Sequence, residues 1–260
     1  MGTLNNKFYE ISLAQWALID EHRQNKISTL DLPGIARNAF QLNGIELVNT
    51  LMEVPTMDYL DKLKSRSTEY NINILLIMID DEGDGCSSTA NERKQFGINH
   101  FKWIDIAKYL GCHSIRTNCR GYNAPDPITA LEWATESYLP LLSYAAKNEI
   151  RVLVENHGGL SNDADWMVEL FKKIQHPLFG SYPDWREPAE DFDNIEYLKK
   201  MLPYSSGMSY RNQPSESQTK EMIEMCINEG YQGWFGIESN GRDAVAEGIR
   251  LLKKYLPINP

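Results

Sequence analysis

The chain has few of the residues from which several common protein sites are built. Its 260 residues include only five histidines and four cysteines, and no two cysteines form a CxxC pair. A site built mainly from imidazole is therefore excluded. The cysteines are predicted to be reduced thiols, because a chain of this size can form a core without disulfides. Any metal site here must depend on carboxylates.

Positive charge and long apolar runs are also scarce. The chain has 36 acidic and 26 basic residues, a formal charge of −10. This argues against a nucleic-acid partner, since such proteins neutralise phosphates with clustered Lys and Arg. No stretch reaches the roughly 18 to 20 apolar residues of a membrane span, and the N-terminal MGTLNNKFYE lacks a basic segment followed by an apolar one. We expect a cytoplasmic protein with no membrane partner, although a leader removed earlier would leave the same sequence.

Short apolar runs alternate with longer amphipathic stretches from end to end, a pattern typical of βα units around a parallel sheet. Eight units are counted over residues 1–260 with no linker between them, so we predict a single-domain α/β fold, a (β/α)₈ TIM barrel. An open parallel sheet is the alternative. The predicted strands are Phe8–Leu13, Ile45–Asn49, Ile72–Ile79, Cys112–Thr117, Ile150–Glu155, Leu178–Tyr182, Ser206–Tyr210 and Gly233–Glu238. The predicted helices include Glu92–Leu110, Ala130–Lys147, Ala164–Ile174, Ile195–Met201, Thr219–Glu229 and Asp243–Tyr255.

Residues suited to helix ends fall where this division requires them. Gly111, Gly230 and Gly233 follow helical patterns at positions where a left-handed residue commonly ends a helix. Asp163 and Ser215 stand near helix starts, where a side-chain oxygen can cap free backbone amides. The boundaries of several βα units are thereby predicted.

Acidic residues end several of the predicted strands, and these ends form the active site of a barrel. Glu155 follows the apolar run at 152–154 and shares a strand face with His157. Glu238 ends strand eight, and Asp184 follows strand six. An unpaired buried carboxylate is costly, so two glutamates at one apolar mouth predict either a cation between them or shifted protonation. Taken singly, each acid could instead cap a helix or pair with an arginine.

A divalent ion is the simplest explanation for the set. Hard oxygen ligands favour Mg²⁺ or Mn²⁺, while mixed carboxylate and imidazole sites also accept Co²⁺, Zn²⁺ or Fe²⁺. The acidic segment 80–85 (DDEGDG) lacks the spacing of a calcium loop and is predicted to be a solvated loop over the site.

Four further side chains are candidates for binding substrate. Arg116, at the end of strand four, could hold a hydroxyl, a carboxylate or a phosphate, or form an ion pair with a barrel acid, and Arg211 after strand seven has the same alternatives. Trp16 and Trp185 could offer a flat surface to a sugar ring, although aromatic residues at strand ends more often pack in the core. No glycine-rich phosphate loop is present, so a phosphorylated substrate is not implied.

The segments ENHGGLS at 155–161 and GIE at 236–238 resemble the sugar phosphate isomerase/epimerase family of xylose isomerase-like TIM barrels. SLAQW at 12–16, GCHSIR at 111–116 and Pro183-Asp184 extend the resemblance over nearly the whole chain. The resemblance implies a metal held by Glu155, Asp184 and Glu238, commonly with a histidine on strand seven. This chain has Ser209 in place of that histidine, so Ser209 and His157 are both candidates for the fourth position.

Two other positions depart from the family pattern. Arg211 replaces the usual lysine, and the segment 184–187 (DWRE) replaces the usual Asp-Phe-Gly-Asn. The resemblance implies proton removal next to a carbonyl of a small carbohydrate, with a metal-stabilised enediolate and with Glu155 and Glu238 as base and acid.

The leading hypothesis is thus a sugar isomerase or epimerase. The alternatives are a lyase or deglycosylase acting on an oxidised sugar, and a barrel without catalysis that serves as a binding subunit. An endonuclease IV-like activity is disfavoured, because it needs more histidines and a basic groove. The sequence is compatible with a homo-oligomer and does not decide between isomerisation and epimerisation.

Overall fold

Eight parallel strands form the centre of the protein in a computed structural model that describes residues 9–186 and 192–257. The strands lie in the order β6-β5-β4-β3-β2-β1-β8-β7. Strands that follow one another in sequence are therefore neighbours, and the first strand, β1, also pairs with the last, β8. The strands are β1 (Tyr9–Ala14), β2 (Gly44–Val48), β3 (Asn73–Met78), β4 (Ser114–Thr117), β5 (Arg151–Val154), β6 (Phe179–Ser181), β7 (Met208–Tyr210) and β8 (Gly233–Ile237).

Helices connect the strands and surround the sheet. Within the described ranges they are α1 (Ile19–Arg23), α2 (Leu32–Phe40), α3 (Met57–Glu69), α4 (Ala90–Leu110), α5 (Pro127–Asn148), α6 (Ala164–Ile174), α7 (Asn194–Met201), α8 (Glu216–Asn228) and α9 (Arg242–Tyr255). Their ends have the expected chemistry: the Asp163 side chain accepts from the first amides of α6, and Gly111 ends α4 with a φ of 84°. Since each crossover returns to the same sheet edge, all strand C-termini open on one face.

The barrel closes between β6 and β7 by isolated contacts and not by a continuous ladder. Parallel bridges join Ser181 to Ser205 and Asp184 to Ser209. The Ser209 amide donates to the Pro183 carbonyl at 3.0 Å, and the Trp185 amide donates to the Ser209 carbonyl at 2.9 Å. The seam is therefore held largely by backbone groups beside two of the predicted site residues.

Two apolar clusters separate the inside of the barrel from its outside. The larger cluster fills the layer between sheet and helices, with members such as Ile115, Val152 and Phe235. The smaller lies inside the barrel and comprises Ala14, Val48, Leu76, Met78, Leu153 and Tyr182, with Trp16 and Leu51 packed against it. Strand residues alternate between the two clusters. A polar residue two positions after the last inward-facing apolar residue, such as Glu155 after Leu153, therefore points into the barrel mouth.

The predicted fold class is confirmed: the structure is a nearly closed (β/α)₈ barrel. All eight strands were predicted within about two residues at each end, and Phe8 of the first lies outside the described residues. Asp163, Ser215, Gly111 and Gly230 stand at helix ends as predicted. Gly233 is a correction, because it is the first residue of β8 and does not end a helix. Within the described ranges, no helix has the length and apolar character needed to cross a membrane.

Candidate functional site

The three predicted carboxylates lie together at the mouth of the barrel. Glu155 directly follows β5, Glu238 directly follows β8, and Asp184 forms the backbone bridge beyond β6. Their side chains are 4%, 7% and 11% exposed, respectively. The strand ends thus force three acids into a site from which water is largely excluded, where each must find a partner or change its protonation.

Arg116, on the fourth strand, forms the first ion-pair cluster. Its side chain is 1% exposed, and its Nη1 donates to Oδ1 of Asp80 at 2.7 Å. Its Nε lies 2.9 Å from Oε2 of Glu155, but neither of these two buried atoms makes a hydrogen bond, so the contact is an ion pair without directed geometry. Arg116 is therefore occupied by two barrel acids, which was the alternative foreseen for it.

Asp80 is the main residue of this cluster that the sequence prediction missed. It ends the apolar run of β3, and besides Arg116 it accepts from the Asn118 side-chain amide at 2.9 Å. Burial raises the pKa of Asp80, but the charge and hydrogen bonds of Arg116 and the amide of Asn118 outweigh burial and lower it to about 2. The prediction of a solvated acidic loop is wrong at this position. Asp80 follows the apolar run of strand three as Glu155 follows that of strand five, so the same rule selects it, but the prediction assigned it to a solvated loop.

His157 completes the Arg116 cluster from the loop after β5. Its Nδ1 lies 3.0 Å from Oδ1 of Asn118 and 3.4 Å from Oε2 of Glu155. Both neighbours are acceptors, so Nδ1 carries a hydrogen in this arrangement. The side chain is 45% exposed, so the ring is accessible from the mouth.

Arg211 forms the second ion-pair cluster across the barrel seam. Its Nε donates to Oδ1 of Asp184 at 2.8 Å and its Nη2 donates to Oε1 of Glu238 at 2.9 Å. Ser209 donates its hydroxyl to the other oxygen of Glu238. The Arg211 side chain is 32% exposed, far more than Arg116. One guanidinium therefore joins two of the three predicted metal ligands.

The two clusters shift their acids in different directions. Burial raises the pKa of Glu155, but the charge of Arg116 and the contact with His157 outweigh it and lower the pKa. Burial raises the pKa of Glu238, and the nearby charges of Asp184 and Glu155 add to this, so that Arg211 and Ser209 do not restore the ordinary value. Asp184 also has a raised pKa, chiefly because of burial. Glu155 is thus held ionised, while Glu238 binds a proton more readily.

Glu46 of β2 forms a polar floor below these clusters, and it too was missed by the sequence prediction. Its fully buried carboxyl accepts from Ser12 at 2.7 Å and from the Tyr182 hydroxyl. Burial raises its pKa to about 7, although both hydrogen bonds act in the opposite direction. The room for this group comes from Gly236, where a Cβ atom would lie 2.2 Å from Oε2 of Glu46. An acid in the middle of an apolar run, such as Glu46 in GIELV, is the signal that could have found it.

The two predicted aromatic surfaces are placed differently. Trp16 follows β1 and packs, partly buried, against the apolar cluster inside the barrel, so it lies beside the mouth. Trp185 is 1% exposed and packs against Tyr210 and Phe235 outside the strands. The expectation of a sugar-binding surface at Trp185 is therefore corrected, because the residue after Asp184 points to the helix layer. Glu187 of the same segment lies outside the described residues.

A divalent ion does not fit the donors in this arrangement. Both oxygens of Glu238 accept from Arg211 and Ser209, and Arg211 also occupies Asp184. Across the described parts of the chain, no three His, Cys, Asp or Glu side chains are grouped so that they could hold a metal ion. The sequence allowed each acid, taken singly, to pair with an arginine. All three predicted metal ligands form such an ion pair.

Solved structures with the same architecture include enzymes that act on sugars and related molecules. D-allulose 3-epimerase from Methylomonas sp., in complex with D-allulose, has a TM-score of 0.77 and 12% identity, over 96% of this chain and 98% of that one. The 3-keto-D-glucoside 4-epimerase from E. coli has a TM-score of 0.73 and 10% identity, over 96% of this chain and 99% of that one. A probable 3-DHS dehydratase from Bacillus anthracis has a TM-score of 0.73 and 16% identity, over 94% of this chain and 98% of that one. At these identities the likeness shows the fold.

A comparison with curated proteins gives no match. The family model described as xylose isomerase-like TIM barrel matches residues 38–203, which is more than half of the chain and includes Glu155 and Asp184. Together with the closed order of parallel strands, this match identifies the chain as a member of the xylose isomerase-like TIM barrel family.

Proposed function

We propose that the protein is an enzyme that moves a proton on a carbon next to a carbonyl of a small carbohydrate, as an isomerase or epimerase. The observation that carries this proposal is the pair of buried acids, Glu155 after β5 and Glu238 after β8, which share the barrel mouth and have pKa values shifted in opposite directions. Two carboxyl groups held in different protonation states are suited to act as base and acid in one proton transfer.

In the proposed reaction Glu155 takes the proton from carbon, because its carboxylate is ionised beside Arg116. The electrons of the C–H bond move into the carbonyl, giving an enediolate whose oxygen needs positive charge nearby. Arg211 reaches the mouth and supplies N–H donors for that oxygen. Glu238 then returns a proton to the same carbon for epimerisation, or to the neighbouring carbon for aldose–ketose isomerisation, in which a hydroxyl proton also passes to the former carbonyl oxygen. Glu155 and Glu238 regain their starting protonation by exchange with water.

The substrate proposed here is a neutral sugar or keto sugar. Arg116 is fully engaged by Asp80 and Glu155, and Arg211 is engaged through Nε and Nη2, so neither has its whole guanidinium free for an anion. Trp16 offers an apolar surface beside the mouth, which suits one face of a sugar ring. A cytoplasmic location fits such a metabolic role and stays a prediction.

A divalent-metal form of the reaction, with Mn²⁺ or Mg²⁺, is the second candidate, and it requires Arg211 to release Asp184 and Glu238. The observation that favours it is the buried Oε2 of Glu155, which lacks a hydrogen bond. A buried carboxylate oxygen of this kind accepts either a cation or a substrate hydroxyl. Co²⁺ and Zn²⁺ are less suited, because within the described residues no imidazole other than His157 stands at the three acids.

The direct test is a screen of ketoses, aldoses and oxidised glycosides in deuterated water, with Mn²⁺ or with a chelator, scored for deuterium uptake and for new products. We expect uptake with at least one ketose or keto sugar, and loss of uptake by about 100-fold or more in Glu155→Gln and Glu238→Gln. Glu82→Gln is the matched control, because Glu82 binds Trp103 and Lys102 outside the site. Loss of a substrate group in place of a moved proton would show a lyase, and no uptake with any compound would favour a binding subunit.

A further inference from the structure

Arg211 has the place and the contacts that a cation would have between two acids. Its guanidinium fork spans Asp184 and Glu238 at 2.8 and 2.9 Å, and these acids come from strands on opposite sides of β7. A planar guanidinium presents several donors in fixed directions, so it can hold two carboxylates as one charged unit. The +1 charge of Arg211 would also repel a divalent ion placed beside it.

Ser209 strengthens this arrangement from the neighbouring strand position. Its hydroxyl donates to the oxygen of Glu238 that Arg211 leaves free. A donor hydrogen at this position does the opposite of a metal-binding imidazole, which would present a lone pair. Both oxygens of Glu238 are therefore directed to hydrogen-bond donors, and the two residues that depart from the family pattern act on the same carboxylate.

The third acid is held away from Arg211 by the other cluster. Glu155 pairs with Arg116, which is itself shared with Asp80 and is buried. Moving Glu155 to a metal would break its ion pair with Arg116, whose side chain is 1% exposed, and breaking a buried ion pair is costly. Each acid that would be needed for a metal is thus already ion-paired with an arginine.

We propose that the Arg211 guanidinium stands in place of the divalent cation, so that this barrel holds no metal and uses Arg211 to bind the reacting oxygen of its substrate. The reaction step rests on the proposed function, whereas the exclusion of metal does not. Arg211 is 32% exposed, so it remains within reach of a substrate while it holds Asp184 and Glu238. Its N–H groups would strengthen their bonds as negative charge develops on the enediolate oxygen.

The first experiment measures metal on the wild-type protein. The protein is purified without chelator, incubated with Mn²⁺ and desalted, and its metal content and melting temperature are compared with those of chelator-treated protein. We expect less than about 0.1 equivalent of metal and a melting temperature unchanged by 1 mM Mn²⁺ to within about 1 °C, because a ligand stabilises only a protein that binds it. Close to one equivalent, or a clear Mn²⁺-dependent rise, would overturn the proposal.

The second experiment removes the guanidinium. Arg211→Met frees Asp184 and Glu238, and we expect it to gain Mn²⁺ binding, seen as a rise in melting temperature of about 5 °C or more in 1 mM Mn²⁺. Arg120→Met is the matched control, since Arg120 also lies at the mouth but donates to the His157 carbonyl and to none of the three acids. A Mn²⁺ response in Arg120→Met equal to that of Arg211→Met would contradict the role given to Arg211.

Deuterium exchange separates this proposal from the proposed function. If chelator-treated wild type exchanges deuterium into a substrate and Arg211→Met does not, the proton transfer and the metal-free role of Arg211 are both supported. If wild type exchanges only with Mn²⁺, the metal-free site is wrong while the proton transfer stands. If no compound exchanges, the proposed function fails and the metal measurement still decides whether Arg211 excludes the ion.

Discussion

The two arginines of the barrel mouth hold similar acids in different surroundings. Arg116 pairs with Asp80 and Glu155 and has a side chain that is 1% exposed, whereas Arg211 pairs with Asp184 and Glu238 and is 32% exposed. Exposure decides the role of each pair, because a buried ion pair is rigid and costly to break, while one open to water costs less to disturb. The buried Arg116 is suited to holding Asp80 and Glu155 in place. The more exposed Arg211 is suited to the contact with substrate proposed above.

This difference also accounts for the opposite protonation of the two glutamates. Arg116 is fully desolvated, so its charge acts strongly on Glu155 and keeps it ionised. Arg211 shares its charge between Asp184 and Glu238 and is partly screened by water, so it does not outweigh burial at Glu238. The proposed division between base and acid thus rests on unequal burial of two otherwise similar arginines.

The strongest way to break the comparison is to remove each arginine in turn. Arg116→Met leaves Asp80 and Glu155 buried without a cation, and we expect it to lower the free energy of unfolding by about 3–5 kcal/mol. Arg211→Met should cost about 1–2 kcal/mol, because water reaches its partners more easily. Urea denaturation measures both. Equal losses in the two variants would show that exposure does not distinguish the pairs.

The polar floor gives the next largest effect, and it appears as pH rises from 4.5 to about 7. The pKa of Glu46 is raised from its ordinary value of 4.5 to about 7 in the folded protein, so the folded state binds this proton more tightly than the unfolded state. Its stabilisation is complete below pH 4.5 and is lost as pH rises through about 7, on the order of 3 kcal/mol in all. Glu46→Gln should remove this part of the dependence in urea titrations between pH 5 and pH 8. An unchanged pH dependence in Glu46→Gln would contradict the assignment.

Asp80 should show the opposite pH dependence on the Arg116 side. Its pKa is lowered from 3.8 to about 2, so its stabilisation is present above pH 3.8 and is lost as pH falls through about 2. The effect is on the order of 2 kcal/mol. Asp80→Asn should therefore cost stability at pH 7 and become nearly neutral at pH 2. If the cost is the same at both pH values, the ion pair with Arg116 is not its source.

The smallest effect sharpens the comparison at Glu238. Ser209→Ala removes one hydrogen-bond donor from Glu238 and should cost about 1 kcal/mol. It should also raise the pKa of Glu238, since this hydrogen bond acts to lower it, and so shift the alkaline limb of the exchange profile to higher pH. Ser12→Ala is the control, because it removes a similar donor from Glu46 on the floor. A shift in Ser12→Ala equal to that in Ser209→Ala would show a general effect on the barrel.

The sequence was sufficient for the parts of the molecule that depend on local patterns. The apolar runs that end in Glu155 and Glu238 predict the two strands. They also predict that both acids point into the barrel mouth, because side chains alternate along a strand. The barrel follows from eight such units. Helices α2 and α3 lie outside the named helical stretches, and α2 contains Pro33 and Gly34, which weaken a helical pattern.

Pairing across the barrel was beyond prediction from one sequence. Whether Arg116 turns to Glu155 or to substrate depends on Asp80, which is 36 residues away in the chain. In the same way, Trp185 follows an acid that faces the mouth, but the bridge between Asp184 and Ser209 turns its ring outward. Such choices depend on distances between strands that are fixed only when the sheet closes.

The barrel closure has a consequence for hydrogen exchange. The sheet is joined by ladders from β6 round to β7. Between those two strands the residues that the structure describes form single bridges, at Ser181 with Ser205 and at Asp184 with Ser209. Amides of the seam, such as those of Trp185 and Ser209, should therefore lose protection before amides of β1 and β8. The seam lies beside the Arg211 pair, so local opening there is expected to change the distance between Asp184 and Glu238 while the other strands stay paired.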